Sequence, residues 1–220
     1  MEWKGSSVQF GGGGFNGVLV TGLGLPPLAP ADRPSPLARG FVTYGTDSGH
    51  QNAPGVPLQA FALDEEGLTN FAYASYKKVR DVAVVLMQRR YGRAPARVYY
   101  VGFSEGGREG LTMAQRFPAD YDGILSGVPF INWVGLQAAG TRMGLAQLGD
   151  GWMGPATVKL VNDAVSCLRS ARWPRNSEGC KRAFDASKLG CAPGRSTRCL
   201  SDAQLNAVKE GGWHKASQPN

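Results

Sequence analysis

Several things are scarce in this 220-residue chain, and each scarcity narrows what it can be. No run of about 18 uninterrupted apolar residues occurs, so no membrane span is expected. The opening MEWKG is polar and leads straight into a glycine-rich turn, so the sequence as it stands shows no secretory leader. That fits a cytoplasmic protein or one whose N-terminus has been removed. Lys and Arg outnumber Asp and Glu by 24 to 17, but they are scattered, with one denser set between Arg169 and Arg198. No basic face with aromatic or helical readers is visible, so nucleic acid is not an expected partner. A solvated surface accounts for the charge, and attraction of small anions comes second. The cysteines have no C-x-x-C spacing, which argues against zinc. Histidine is scarcer still: the chain has His50 and His214 and no other.

What the chain does have is an alternation of short β-rich runs with helical spacing. Residues 7–10 and 41–44 read as strands, each closed by a glycine-containing loop. From 64 to 90 apolar residues recur at steps of three and four, through Leu68, Phe71, Ala72, Tyr76, Val79, Val82, Ala83 and Leu86. That stripe predicts a core-facing helix. Residues 98–101 form a near-continuous apolar run, expected to be buried on both faces. A helix over 105–117 and a strand over 123–128 follow. The pattern predicts a mostly parallel α/β sheet with flanking helices over residues 1–130. Residues 131–220 carry helical patches near 156–168 and 201–210, turns and all the cysteines, and no further strong strand. They read as a second region, a lid or insertion.

The four cysteines, Cys167, Cys180, Cys191 and Cys199, allow three pairings. Two local bridges, Cys167–Cys180 and Cys191–Cys199, are the economical choice, because they would staple a loop-rich region with little core of its own. Bridges favour an oxidising compartment; four reduced thiols in a cytoplasmic protein are the alternative.

The most informative stretch is YYVGFSEGGREGL at 99–111. It runs from an apolar strand through Gly102-Phe103-Ser104-Glu105-Gly106 into helical spacing, the setting of a G-x-S-x-G nucleophile elbow. Such a turn lifts the serine hydroxyl off the end of a sheet. It also points the free N–H groups of the following helix at the reacting centre. Ser104 is thus the candidate nucleophile, and the backbone N–H of Glu105 the first oxyanion donor. Upstream, Gly11–Gly14 follows an early strand, and Gly13 or Gly14 would supply the second donor. This loop lacks the Gly-Lys-Ser/Thr ending of a phosphate loop and the helix that a dinucleotide loop needs. A serine nucleophile requires a base. His50 precedes the elbow, against the chain order of such enzymes, and reads as structural or pocket-edge. His214 follows it but sits in a polar tail with no strand to place it.

These motifs resemble the tannase and feruloyl esterase family of α/β-hydrolases, nearest the branch containing mono-(2-hydroxyethyl) terephthalate hydrolase. The stretches that carry the likeness are GGGGFNG (11–17), ARGFVTYGTDSGH (38–50), NFAYASY (70–76), GFSEGGREG (102–110) and QRFPADYDGILSGVP (115–129). A weaker match covers 180–208. The resemblance implies a partial α/β-hydrolase core followed by part of a disulfide-stapled lid. It implies a secreted or periplasmic serine esterase that cleaves small-molecule esters of aromatic acids through a Ser-His-Asp triad. It carries the nucleophile onto Ser104 and oxyanion donation onto Glu105 and the 11–14 loop, and its lid disulfides support the two local pairings.

Three departures stand out. The family has a cysteine before the nucleophile, bonded to one beside the catalytic histidine; here that position is Phe103. The family's Asp-rich calcium loop corresponds to 168–179, which is basic and has no aspartate, so no metal or other cofactor is expected. The family also continues beyond this sequence into the strands that bear acid and base. The chain therefore reads as the N-terminal half of an esterase that needs its C-terminal half, or a second chain, to complete the triad. The alternative is a non-catalytic descendant or truncated fragment that keeps a binding cleft.

Overall fold

The computed structural model describes residues 2–166, 184–194 and 197–211. They form two compact units, Met1–Ile131 and Asn132–Asn220.

The first unit is built on four parallel strands: β1 (Ser6–Phe10), β2 (Val42–Tyr44), β3 (Arg97–Phe103) and β4 (Gly123–Gly127). Their spatial order is β2-β1-β3-β4. Parallel neighbours need crossovers, and helices provide them. The route from β2 to β3 runs through α1 (Glu65–Thr69), a π-helical turn (Asn70–Ala74) and α2 (Ser75–Tyr91); α3 (Glu105–Arg116) links β3 to β4. The chain leaves β1 toward one edge and returns on its other side as β3. The carboxyl ends of β1 and β3 therefore flank the point where the winding reverses, which is where open α/β sheets place their sites.

Period-two alternation sorts the sheet's faces. Val8, Phe10 and Val101 cluster on one, with Val20, Phe41, Tyr99 and Phe103 against them. The other face is unusually polar. Gln9, fully buried, donates from Nε2 to the Tyr76 carbonyl (3.0 Å) and accepts from the Tyr121 hydroxyl at Oε1 (2.6 Å).

The helical stripe is only half right. Phe71 and Tyr76 are buried, but Leu68, Val82 and Leu86 are exposed, and Met87 is the buried residue farther along. The π turn explains the misreading. Five residues of α-helix turn through about 500°, which would put Phe71 and Tyr76 on different faces. A turn closed by i→i+5 bonds brings residue i+5 nearly over i, so both point inward.

The second unit contains α4 (Trp133–Ala146), α5 (Pro155–Ser166) and α6 (Asp202–Glu210). Its buried apolar cluster is Phe184, Ala186, Leu200 and Val208, with Leu160, Val161 and Leu205 packed around it. Ser201 caps α6 by accepting from the Gln204 N–H, while the Gln204 side chain returns to the Ser201 N–H. This reciprocal pair satisfies two otherwise orphaned donors. Helix α4 is absent from the sequence reading; its three glycines dilute the apolar period. Among the described residues no helix is long and apolar enough to cross a membrane.

Candidate functional site

Ser104 sits between β3 and α3 with φ 58° and ψ −120°, a backbone region that only glycine enters freely. The conformation is held from both sides. The Ser104 N–H donates to the Gly127 carbonyl (3.0 Å), and the Ser104 carbonyl accepts from Gly107 and Arg108 N–H (3.0 and 3.2 Å). The flanking glycines are there for space. A Cβ on Gly102 would lie 2.2 Å from the Gly106 carbonyl oxygen, and one on Gly107 would lie 2.5 Å from that of Gly127. Ser104 itself is half-buried.

The glycine loop and the elbow touch. A Cβ on Gly106 would lie 2.7 Å from the Gly12 carbonyl oxygen, and one on Gly11 would meet Gly106 Cα at 2.8 Å. Gly11 N–H is spent on the Val101 carbonyl (2.8 Å) and Gly12 N–H on the Glu109 carboxylate (3.0 Å). Among the described residues a Cβ on Gly13 or Gly14 would have no neighbour within 4 Å, and Gly14 has φ 59°. Glu105, as the first residue of α3, has no intrahelical acceptor for its N–H. The four residues singled out in the sequence, Ser104, Glu105, Gly13 and Gly14, thus belong to two segments in direct contact.

The Glu105 side chain turns inward. Its Oε1 accepts from Arg108 Nε (2.7 Å), and its buried Oε2 has no hydrogen-bond partner among the described residues. Burial pushes this carboxyl above its ordinary range against the opposing pull of Arg108. Arg108 also donates to the carbonyls of Ala72 and Phe71 (both 3.0 Å), tying the π turn to the elbow helix.

Sequence reasoning missed the polar cluster beneath the loop. Glu109 is completely buried and accepts four hydrogen bonds: from Gly12 N–H (3.0 Å), Asn16 Nδ2 (2.7 Å), Tyr76 hydroxyl (2.6 Å) and Tyr100 hydroxyl (2.8 Å). Burial first, and then the Glu109 charge, pushes both tyrosine hydroxyls well above their ordinary value, so they remain protonated donors. One signal was available. Glu109 is a charged residue among glycines, one helical turn beyond Glu105, on the side that faces the sheet.

His50 packs within an aromatic group. Its ring stacks on Phe61 (centroids 4.0 Å apart), Phe61 meets Phe71 (4.8 Å), and Phe71 meets Phe15 of the glycine loop (6.4 Å). His50 Nδ1 lies 3.4 Å from Ser48 Oγ. Cys191 and Cys199 form a disulfide, with Cα atoms 4.9 Å apart. Cys167, Cys180, His214 and the 168–179 segment lie outside the described residues. Among the described residues no group of three or more His, Cys, Asp or Glu could hold a metal ion.

Comparison with known proteins gives the family and the fold. The family profile for tannase and feruloyl esterase matches residues 1–217. An uncharacterized esterase of Agrobacterium fabrum is 44% identical over 163 residues, covering 73% of this chain and 29% of that protein. The mono(2-hydroxyethyl) terephthalate hydrolase of Piscinibacter sakaiensis is 32% identical over 243 residues, covering 94% of this chain and 40% of that protein. The crystal structure of feruloyl esterase B from Aspergillus oryzae superposes with a TM-score of 0.72 at 26% identity, covering 94% of this chain and 41% of that one. The chain thus spans well under half the length of these relatives. Its first unit is a partial α/β-hydrolase core, and the chain belongs to the tannase and feruloyl esterase family.

Proposed function

We propose that this chain carries the nucleophile and oxyanion-binding half of a serine carboxylic ester hydrolase acting on small esters of aromatic acids. The observation that carries the reading is Ser104 at positive φ, on a strand-to-helix turn in contact with a loop of unspent glycine N–H groups. Ser104 Oγ would attack the ester carbonyl carbon. The carbonyl oxygen would take up the negative charge against the Glu105 N–H and the N–H of Gly13 or Gly14, and the alcohol would leave as the acyl-serine forms. Water would then release the acid. The names of the relatives, a terephthalate monoester hydrolase and feruloyl esterases, support the aromatic acyl class.

His50 is not the base in this reading, because it precedes the elbow in the chain, whereas the histidine of such hydrolases follows the nucleophile. The base and its carboxylate partner are assigned to sequence outside these residues. No metal or cofactor enters the chemistry. The disulfide supports an oxidising compartment, and the second unit is read as part of a lid.

The test is labelling of the protein in its natural length by an alkyl fluorophosphonate, mapped by peptide mass spectrometry. Adduct on Ser104, lost in Ser104→Ala and kept in His50→Ala, is the expected result. An unmodified Ser104 overturns the nucleophile, and loss of labelling in His50→Ala overturns the exclusion of that histidine. One observation favours a non-catalytic protein: Phe103 stands where the family has its cysteine before the nucleophile, and its ring fills the space a Gly127 side chain would need. Equal hydrolysis of p-nitrophenyl benzoate by wild type and Ser104→Ala would establish that second reading.

A further inference from the structure

We infer that Glu109 is a positioning residue that sets the two halves of the oxyanion site against each other. The inference rests on the reading of Ser104 as nucleophile. The two proposed donor groups come from segments about ninety residues apart in sequence, and the glycine loop is intrinsically loose. Its backbone is also contorted. Gly14, Asn16 and Gly17 all have positive φ, at 59°, 53° and 75°. A loop of this kind needs an external template to hold one shape.

Glu109 supplies that template. Its Oε2 takes the Gly12 N–H, fixing the Gly11–Gly12 peptide, one step before the peptide that carries the Gly13 N–H. Its Oε1 takes Asn16 Nδ2, fixing the far end of the same loop. The remaining proton on Asn16 Nδ2 goes to the Tyr76 hydroxyl oxygen (2.8 Å), and that hydroxyl in turn donates to Glu109 Oε1 (2.6 Å). The donors and acceptors close a ring without a mismatch. From the sheet below, the Tyr100 hydroxyl shares its one proton between Oε2 (2.8 Å) and the Gly106 carbonyl oxygen (2.9 Å). Glu109 lies four residues after Glu105, so it stands on the same face of α3 one turn along. One side chain thereby references Gly12 and Asn16 to the helix whose first N–H is the other donor. By holding Gly12 N–H and pinning Asn16, it leaves the Gly13 and Gly14 N–H groups as the unspent donors of the loop.

A carboxylate is needed for this, and an amide will not do. Gly12 N–H donates to one oxygen, and Asn16 Nδ2 and the Tyr76 hydroxyl to the other, so the NH2 of a glutamine would face at least one donor head-on. Glu109→Gln in the natural-length protein is therefore expected to lower kcat on p-nitrophenyl benzoate about tenfold or more, with KM changed less than about threefold. The affinity for an aryl trifluoromethyl ketone, which becomes a tetrahedral oxyanion on the serine, should fall in parallel with kcat/KM.

Tyr76→Phe removes one donor and leaves the Gly12 and Asn16 contacts, so it should give a smaller loss of the same kind and serves if Glu109→Gln does not fold. Ser104→Ala is run alongside. If it keeps wild-type rates, the nucleophile reading itself fails. If Ser104→Ala is dead while folded Glu109→Gln, or in its absence Tyr76→Phe, keeps wild-type kcat and ketone affinity, the positioning role is overturned and the nucleophile stands.

Discussion

The two units are stabilised in different ways, and the contrast says what each is for. Among the described residues every buried polar or charged side chain, from Ser7 and Gln9 to Glu105 and Glu109, belongs to the first unit. The buried side chains described in the second, Phe184, Ala186, Leu200, Ala207 and Val208, are all apolar. Apolar contacts are non-directional and tolerate repacking, whereas a buried carboxylate with four donors has few acceptable arrangements. The first unit is specified in geometry and the second in volume.

The largest test of that contrast is Leu200→Ala. Leu200 is fully buried, and its loss should cost about 2–5 kcal/mol. Hydrogen exchange should show the loss confined to amides of the second unit, with the Ser6–Phe10 and Arg97–Phe103 strands unchanged. Acceleration in the strands as well would break the separation. Next comes Cys199→Ser. Opening a bridge between residues eight apart should cost about 2–3 kcal/mol by chain entropy, and dithiothreitol should reproduce the shift in wild type but not in the variant. A third change sharpens the other side of the comparison. Ser104→Gly should stabilise the first unit by about 1 kcal/mol in urea unfolding while ending turnover, because the positive-φ strain is relieved along with the hydroxyl.

The smallest effect is an acid one. Asp122 accepts the Val98 N–H (2.8 Å) and the Arg97 guanidinium (2.6 Å), and these bonds hold its carboxyl below the usual range. A depressed folded-state value means a contribution that is present above about pH 4 and lost as pH falls through that folded value. The urea midpoint of wild type should therefore exceed that of Asp122→Asn at pH 6, and the gap should narrow toward pH 2.

The core was legible because its signals are local. Strand alternation, glycine punctuation and the G-x-S-x-G turn each report on a few adjacent residues, and all four strands of the sheet were found that way. What escaped depends on distance or on phase. Glu109 looks like a surface residue until Asn16 and Tyr76 are brought to it across 93 and 33 residues. Val82 and Leu86 were assigned to the interior by a constant 3.6-residue period that the π turn interrupts. Helix α4 carries no capping sequence strong enough to outweigh its glycines, although Asn132 does cap it by accepting the Gly135 N–H.

The widened turn at Asn70–Ala74 also acts as a phase shifter. It holds one residue more than an α turn needs. Taking out one of residues 72–74 would leave Phe71 and Tyr76 four positions apart in an unbroken α spiral, about 400° around the axis and still on one face. Adding a residue there instead would turn the parts on either side by about 100° relative to each other, and either Phe71 would leave the aromatic stack or Tyr76 would swing its hydroxyl off the carboxylate. An insertion remote in sequence from the serine would thus unlatch the glycine loop without altering a single residue of the proposed site.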